Sequence, residues 1–221
     1  MRLFWETFKK SFYLFYEYSF ILVFVNLTWF FLSGLFVFIG YGAILSRMIF
    51  LLIIPAVFLG PLFLSGLHIA DVAARERQVI WVDFLKGIKN HFKRGLKGFI
   101  FSIIVYIVLI LDFYIIFQVG LENVLMLILF GILLYISLFF SMSQLYFWGL
   151  LTCREDDSMF SIFKHSLIFC FDNILFAFLW LIIVVALTLI MIRFSIIFPA
   201  FFMGLIGLFI MNGTRLTLEQ Y

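Results

Sequence analysis

The chain has 221 residues, 66% hydrophobic and only 12% charged, with 34 Phe and a mean hydropathy of +1.23. Water-soluble chains run nearer ~45–50% apolar and ~25% charged, which excludes a soluble globular domain and makes the whole chain an integral membrane protein. The net charge of +3 carries no nucleic-acid signal, and Cys153 and Cys170 are too few for a secreted disulfide framework.

The N-terminal segment carries Arg2, Lys9 and Lys10, with Phe4, Trp5, Phe8, Phe12 and Phe15 on one helical face. That pattern predicts an amphipathic helix lying in the membrane interface. A helical crossing takes about 20 apolar residues, and the first is predicted over Tyr18–Ala43. It is too long for a signal-peptide core and no small-residue cleavage site follows it, so it is expected to be retained. Asn26 and Trp29 within it are candidates for hydrogen bonds across the bundle.

The second span, Met48–Ala70, contains Pro55, Gly60, Pro61, Gly66 and His68. Proline removes a backbone donor, so this span is expected to kink; the alternative is a broken helix lining a cavity. His68 is a candidate intramembrane functional residue.

The following connection holds Arg75, Arg77, Lys86, Lys89, Lys93, Arg94 and Lys97. Trp81, Phe84, Leu85, Ile88, Phe92 and Leu96 share the opposite helical face. This predicts a second interfacial helix, apolar side toward lipid, with Lys86, Lys89, Lys93, Arg94 and Lys97 toward anionic lipid headgroups. Arg75-Glu76-Arg77 reads as a solvated connector.

The third span, Gly98–Phe117, contains the lone acid Asp112, ~21 Å along the helix from Gly98. An ionisable residue at that depth costs roughly 2.5–3.5 kcal/mol, so it is a functional candidate by default. Two readings stand. One is a proton or cation site; the other is a protonated or water-bonded carboxyl near the outer interface. In the fourth span, Asn123–Leu151, Gly131, Ser137 and Ser141 are small residues suited to close helix packing. The next connection opens with Glu155-Asp156-Asp157-Ser158, where Asp157 or Ser158 is expected to cap a third interfacial helix carrying Lys164. The fifth and sixth spans, Asn173–Ile192 and Phe194–Met211, are separated by little more than Arg193.

With both termini inside, 13 of the 15 basic residues fall on the cytoplasmic side and only Arg47 and Arg193 outside. FKKSF at Phe8–Phe12, IKNHF at Ile88–Phe92 and FKHSL at Phe163–Leu167 each precede a span. They suggest three repeats, 1–72, 81–151 and 158–212, each an elbow helix plus a transmembrane hairpin; three unrelated basic anchors would look similar. The expected fold class is therefore all-α integral membrane, with six transmembrane helices. No nucleophile motif, phosphate loop or paired-carboxylate pattern appears, and His68, His91 and His165 are scattered, so no catalytic, cofactor or metal site is expected.

Asn26-Leu27-Thr28-Trp29, Gly60-Pro61 before a basic connection, Phe84 to Gly98, Asp112-Phe113-Tyr114, and the C-terminal Asn212 and Arg215 together resemble the YesL-like family of small multi-pass bacterial membrane proteins of unknown function. The resemblance implies a bacterial cytoplasmic-membrane location and an accessory or regulatory role beside a carbohydrate-uptake system. It supplies no catalytic residues. The expected function is thus a non-enzymatic partner of sugar-transporter components. The alternatives are a small proton- or cation-coupled transporter using Asp112, and a membrane-organising protein bound to anionic lipid.

Overall fold

The computed structural model describes residues 2–120, 124–154, 156–194 and 197–220. Among these the chain is helical almost throughout: α1 (Arg2–Glu17), α2 (Ser19–Leu45), a short 3-10 turn (Ile49–Leu52), α3 (Ile53–Ala74), α4 (Trp81–Val119), α5 (Val124–Cys153), α6 (Met159–Asp172), α7 (Ile174–Arg193) and α8 (Ile197–Leu218). Six of them, α2, α3, α4, α5, α7 and α8, are long and apolar enough to cross a membrane. The chain is a multi-pass membrane protein by this architecture. The last two spans are separate helices, broken at Phe194 (φ −100°, ψ 82°).

Helices α2 and α3 end alike. Met48 N–H bonds Ala43 C=O and Arg47 N–H bonds Ile44 C=O; Arg77 N–H bonds Val72 C=O and Glu76 N–H bonds Ala73 C=O. Each is a Schellman pair, and each places a non-glycine residue in the left-handed region, Arg47 at φ 58° and Glu76 at φ 56°. Ser158 caps α6, its Oγ accepting from Ser161 N–H at 3.2 Å, as expected; Glu155 of the acidic cluster and Asn123 of the fourth span lie outside the described residues.

The elbows differ from one another. The bend between α1 and α2 is one residue, Tyr18, and that between α6 and α7 is one residue, Asn173. The middle elbow is absent: α4 runs unbroken for 39 residues, ~58 Å. Nothing between Lys93 and Phe101 breaks it, since Gly95 and Gly98 are held by close neighbours. A Cβ on Gly95 would lie 2.7 Å from Pro61 Cα, and one on Gly98 2.7 Å from Leu151 Cδ2.

The apolar face of the basic half of α4, assigned to lipid from the sequence, packs largely on protein. Phe84 is fully buried, Phe92 stands edge-on to Phe58 of α3, and Trp81 donates its indole N–H to Thr28 Oγ1 of α2 at 3.2 Å. Only Leu85 of that face is well exposed. Likewise the most buried stripe of α1 is Thr7, Ser11 and Leu14, not its phenylalanines, because small side chains let α1 approach α8 closely. Phe8 and Phe12 still reach Phe209, and Phe15 reaches Phe201.

The core runs along the second half of α3, the second half of α5 and nearly all of α8. The outer halves of α4 and α5 have only a small cluster of their own, Leu109, Ile116, Leu133 and Phe140. Phe113, Met126 and Phe130 pack against that cluster, and most other side chains of the outer hairpin are exposed.

Candidate functional site

Asp112 projects from the outer half of α4, exposed, into a groove of about 390 Å³ between α4 and α5. The other lining side chains are apolar, among them Ile115, Met126, Leu129 and Ile132. The carboxylate has no hydrogen bond or ion pair with any described residue. Its own helix continues to Val119, so it stands about two turns short of the helix end. Tyr114, two positions on, points elsewhere on the helix and is also exposed. This is an acid held at the rim of an apolar trough, with no second polar station beside it.

Asn26, the second candidate, is a fastener. It is 1% exposed, and its side-chain amide donates to Ala200 C=O at 2.9 Å and accepts from Gly204 N–H at 2.6 Å. Those two backbone groups are four residues apart, the pair that one helical turn joins. The α2 amide therefore ties into the backbone ladder at the start of α8. Gly204 is required there, because a Cβ would stand 2.8 Å from Asn26 Nδ2.

His68 finds a partner that its sequence context hides. His91 Nε2 and His68 Nδ1 are 3.3 Å apart, with ring centroids at 4.8 Å. His91 is 3% exposed. A hydrogen bond at that distance requires one nitrogen protonated and the other bare. Gly87 makes room for the pair, and Ser65, one turn away on α3, donates to Phe84 C=O at 2.5 Å. The histidines thus are not scattered: two of the three meet at the α3–α4 interface. No group of three or more His, Cys, Asp or Glu able to hold a metal occurs among the described residues.

The basic row divides. Lys86, Lys89, Lys93 and Lys97 are exposed, Lys86 pairing loosely with Asp83 at 3.5 Å. Arg94 differs. It is half-buried and its guanidinium donates to Arg154 C=O, closing α4 against the end of α5. Its planar fork reaches a fixed carbonyl where a lysine would seek water.

Sequence reasoning missed Asp71. It is 3% exposed near the end of α3, and Arg215 of α8 contacts its Oδ1 at 2.5 Å through Nη2 and 2.6 Å through Nε. Arg75 reaches its Oδ2 at 2.8 Å, so the exposed connector Arg75-Glu76-Arg77 also sends one side chain back into an ion pair. Cys153 Sγ–H points at Asp71 Oδ1 at 3.8 Å, bringing in α5. The only sequence signal was the i, i+4 spacing of Asp71 and Arg75. Cys170 on α6 is fully buried, and burial pushes its thiol up to about 12, so it is no nucleophile at neutral pH.

The chain matches no family model, no curated protein and no solved structure.

Proposed function

We propose that this protein is a non-enzymatic membrane subunit whose α4–α5 hairpin docks a transmembrane helix of a partner. The observation that carries the reading is Asp112, an uncompensated carboxylate in an apolar groove on an exposed helical surface. Facing lipid it costs up to the roughly 2.5–3.5 kcal/mol of an acid at the bilayer centre. A partner helix with a lysine, arginine or hydroxyl donor at the matching depth removes that cost and fills the groove. The sparse contacts of the outer hairpin fit the same picture, since its apolar surface has few neighbours within the chain. The partner is a component of a carbohydrate-uptake system in a bacterial cytoplasmic membrane; that narrower identity rests on the family resemblance of the sequence. The exposed lysines of α4 hold the subunit against anionic headgroups.

The test is copurification after mild solubilisation, comparing the wild type with Asp112→Asn. The variant is expected to reach normal abundance, because Asp112 makes no hydrogen bond or ion pair with the described residues. It is expected to recover at least ~10-fold less partner, equivalent to ~1.4 kcal/mol. Unchanged recovery would overturn the docking reading. Loss of a proton-coupled flux with the partner still bound would favour a transporter using Asp112 instead.

A further inference from the structure

A second cavity, separate from the Asp112 groove, opens among α2, α3, α4 and α5. It holds about 390 Å³, within the ~300–1,000 Å³ typical of small-molecule pockets. Its walls are Trp29, Phe63, Phe99, Tyr106 and Trp148, with Phe63 edge-on to Trp148 at 5.0 Å. No charged side chain lines it. Three polar groups on its lining are buried and find no partner among the described residues: Trp29 Nε1, Ser33 Oγ and Gln144 Nε2. Gln144 is 7% exposed and Ser33 9%, so neither is satisfied by lying at the surface. Buried polar groups are nearly always hydrogen-bonded; other exceptions, such as Trp180 Nε1 and Thr214 Oγ1, lie elsewhere in the bundle, but these three share one cavity large enough for a ligand.

Each of these groups can donate a hydrogen bond. An indole N–H only donates. The Gln144 amide is oriented by Ser102, whose hydroxyl donates to Gln144 Oε1 at 2.8 Å and leaves the NH₂ for the cavity. The Ser33 hydroxyl can donate as well. We infer that this cavity is a binding site for an uncharged, lipid-soluble molecule whose head carries a carbonyl. The oxygen lone pairs meet the Trp29 and Gln144 donors, and the aromatic walls take the apolar body. The absence of a lining charge disfavours carboxylates, phosphates and amines, which would enter without a counter-ion. Two sources share this chemistry: a planar ring such as a quinone head, and the ester of a neutral glycerolipid.

The purified full chain in nanodiscs is titrated with a short-chain quinone and, separately, with dioctanoylglycerol. Trp29 and Trp148 line the cavity, so occupancy reads out as saturable quenching or shift of tryptophan emission. Saturable binding of either probe is expected. The tighter probe identifies the ring or the ester as the preferred head. Gln144→Leu is expected to weaken that binding at least tenfold, and Ser33→Ala several-fold. If Gln144→Leu does not fold, Ser33→Ala decides alone, since it removes one small hydroxyl. No saturable signal from either probe overturns the site. So does undiminished affinity in the folded variants. The measurement needs no partner protein, so its outcome is independent of the docking role of Asp112.

Discussion

Two acids of this chain show how a residue's role depends on what the fold brings to it. Asp112 was legible in the sequence, because a carboxylate alone among large apolar side chains has no local explanation. Asp71 was not, because it stands at the inner end of a span, where an acid looks like the start of a loop. Its strongest partner, Arg215, is 144 residues away. Yet Asp71 is the one that bonds to other helices, through Arg215 of α8 and Cys153 of α5. Its side chain is 5% exposed, and replacing it with Ala strands Arg215 and Arg75 without a counter-charge. Breaking a fully buried pair from one side typically costs ~3–5 kcal/mol, and the cost here is smaller because Arg215 and Arg75 are 25% and 38% exposed. Asp71→Ala is therefore expected to lower the thermal unfolding midpoint in detergent. The double replacement Asp71→Leu, Arg215→Met is expected to recover most of that loss, because the Arg75 charge that remains is the more exposed of the two and can hydrate. Asp112→Ala should leave the midpoint nearly unchanged. A midpoint indifferent to Asp71→Ala would show that the network contributes nothing to stability. His68 follows the same logic as Asp71: the sequence marked it, but only the crossing of α3 and α4 supplies His91.

At the scale of elements, composition made the six spans readable and periodicity made the amphipathic faces readable. What covers each face was not. An apolar stripe looks the same whether lipid or another helix lies on it, and so Trp81, Phe84 and Phe92 were assigned to lipid when α2 and α3 take them. The decisive signal was glycine. Gly60 and Gly95 meet where α3 and α4 cross, and a Cβ on Gly60 would strike the Gly95 carbonyl. From the other side, a Cβ on Gly95 would stand 2.7 Å from Pro61 Cα and 2.8 Å from Pro61 N, all of it backbone that cannot rotate away. The Gly60-Pro61 pair thus serves close approach rather than a break; α3 continues through Pro61 to Ala74. Gly95→Ala is expected to destabilise by ~1–3 kcal/mol, the usual cost of overpacking, and to loosen the His68–His91 contact one turn away. Gly34→Ala is the control, since nothing lies within 4 Å of that Cβ. Equal stability of the two variants, measured by unfolding in detergent, would remove the crossing from the account of the fold.

For the whole molecule, the helix ends bearing most of the positive charge are gathered at one end of the bundle. Asp71 binds the ends of α3 and α8 together, Cys153 adds α5, and Arg94 closes on Arg154. Helix α1 also contacts α3, which brings the α1–α2 bend toward the same end. These are the segments that the basic-residue asymmetry assigns to a single side, and six crossings return the chain to it each time. The last span was the hardest to read because α8 is the least hydropathic of the six and the most buried. It carries Asn212, Thr214 and Thr217 inside the bundle, and a helix wrapped in protein has no need to look like lipid. Orientation follows as a prediction. In a background with Cys153 and Cys170 replaced by Ser, single cysteines at Arg47, Lys89 and Glu219 are to be labelled with a membrane-impermeant maleimide on intact cells. Arg47→Cys, in the exposed turn after α2, is expected to label directly. Lys89→Cys on the exposed face of α4 and Glu219→Cys beyond α8 are expected to label only after permeabilisation. Labelling of Glu219→Cys from outside would leave an odd number of crossings, and labelling of Lys89→Cys from outside would reverse the orientation and remove the lysine row from the cytoplasmic leaflet.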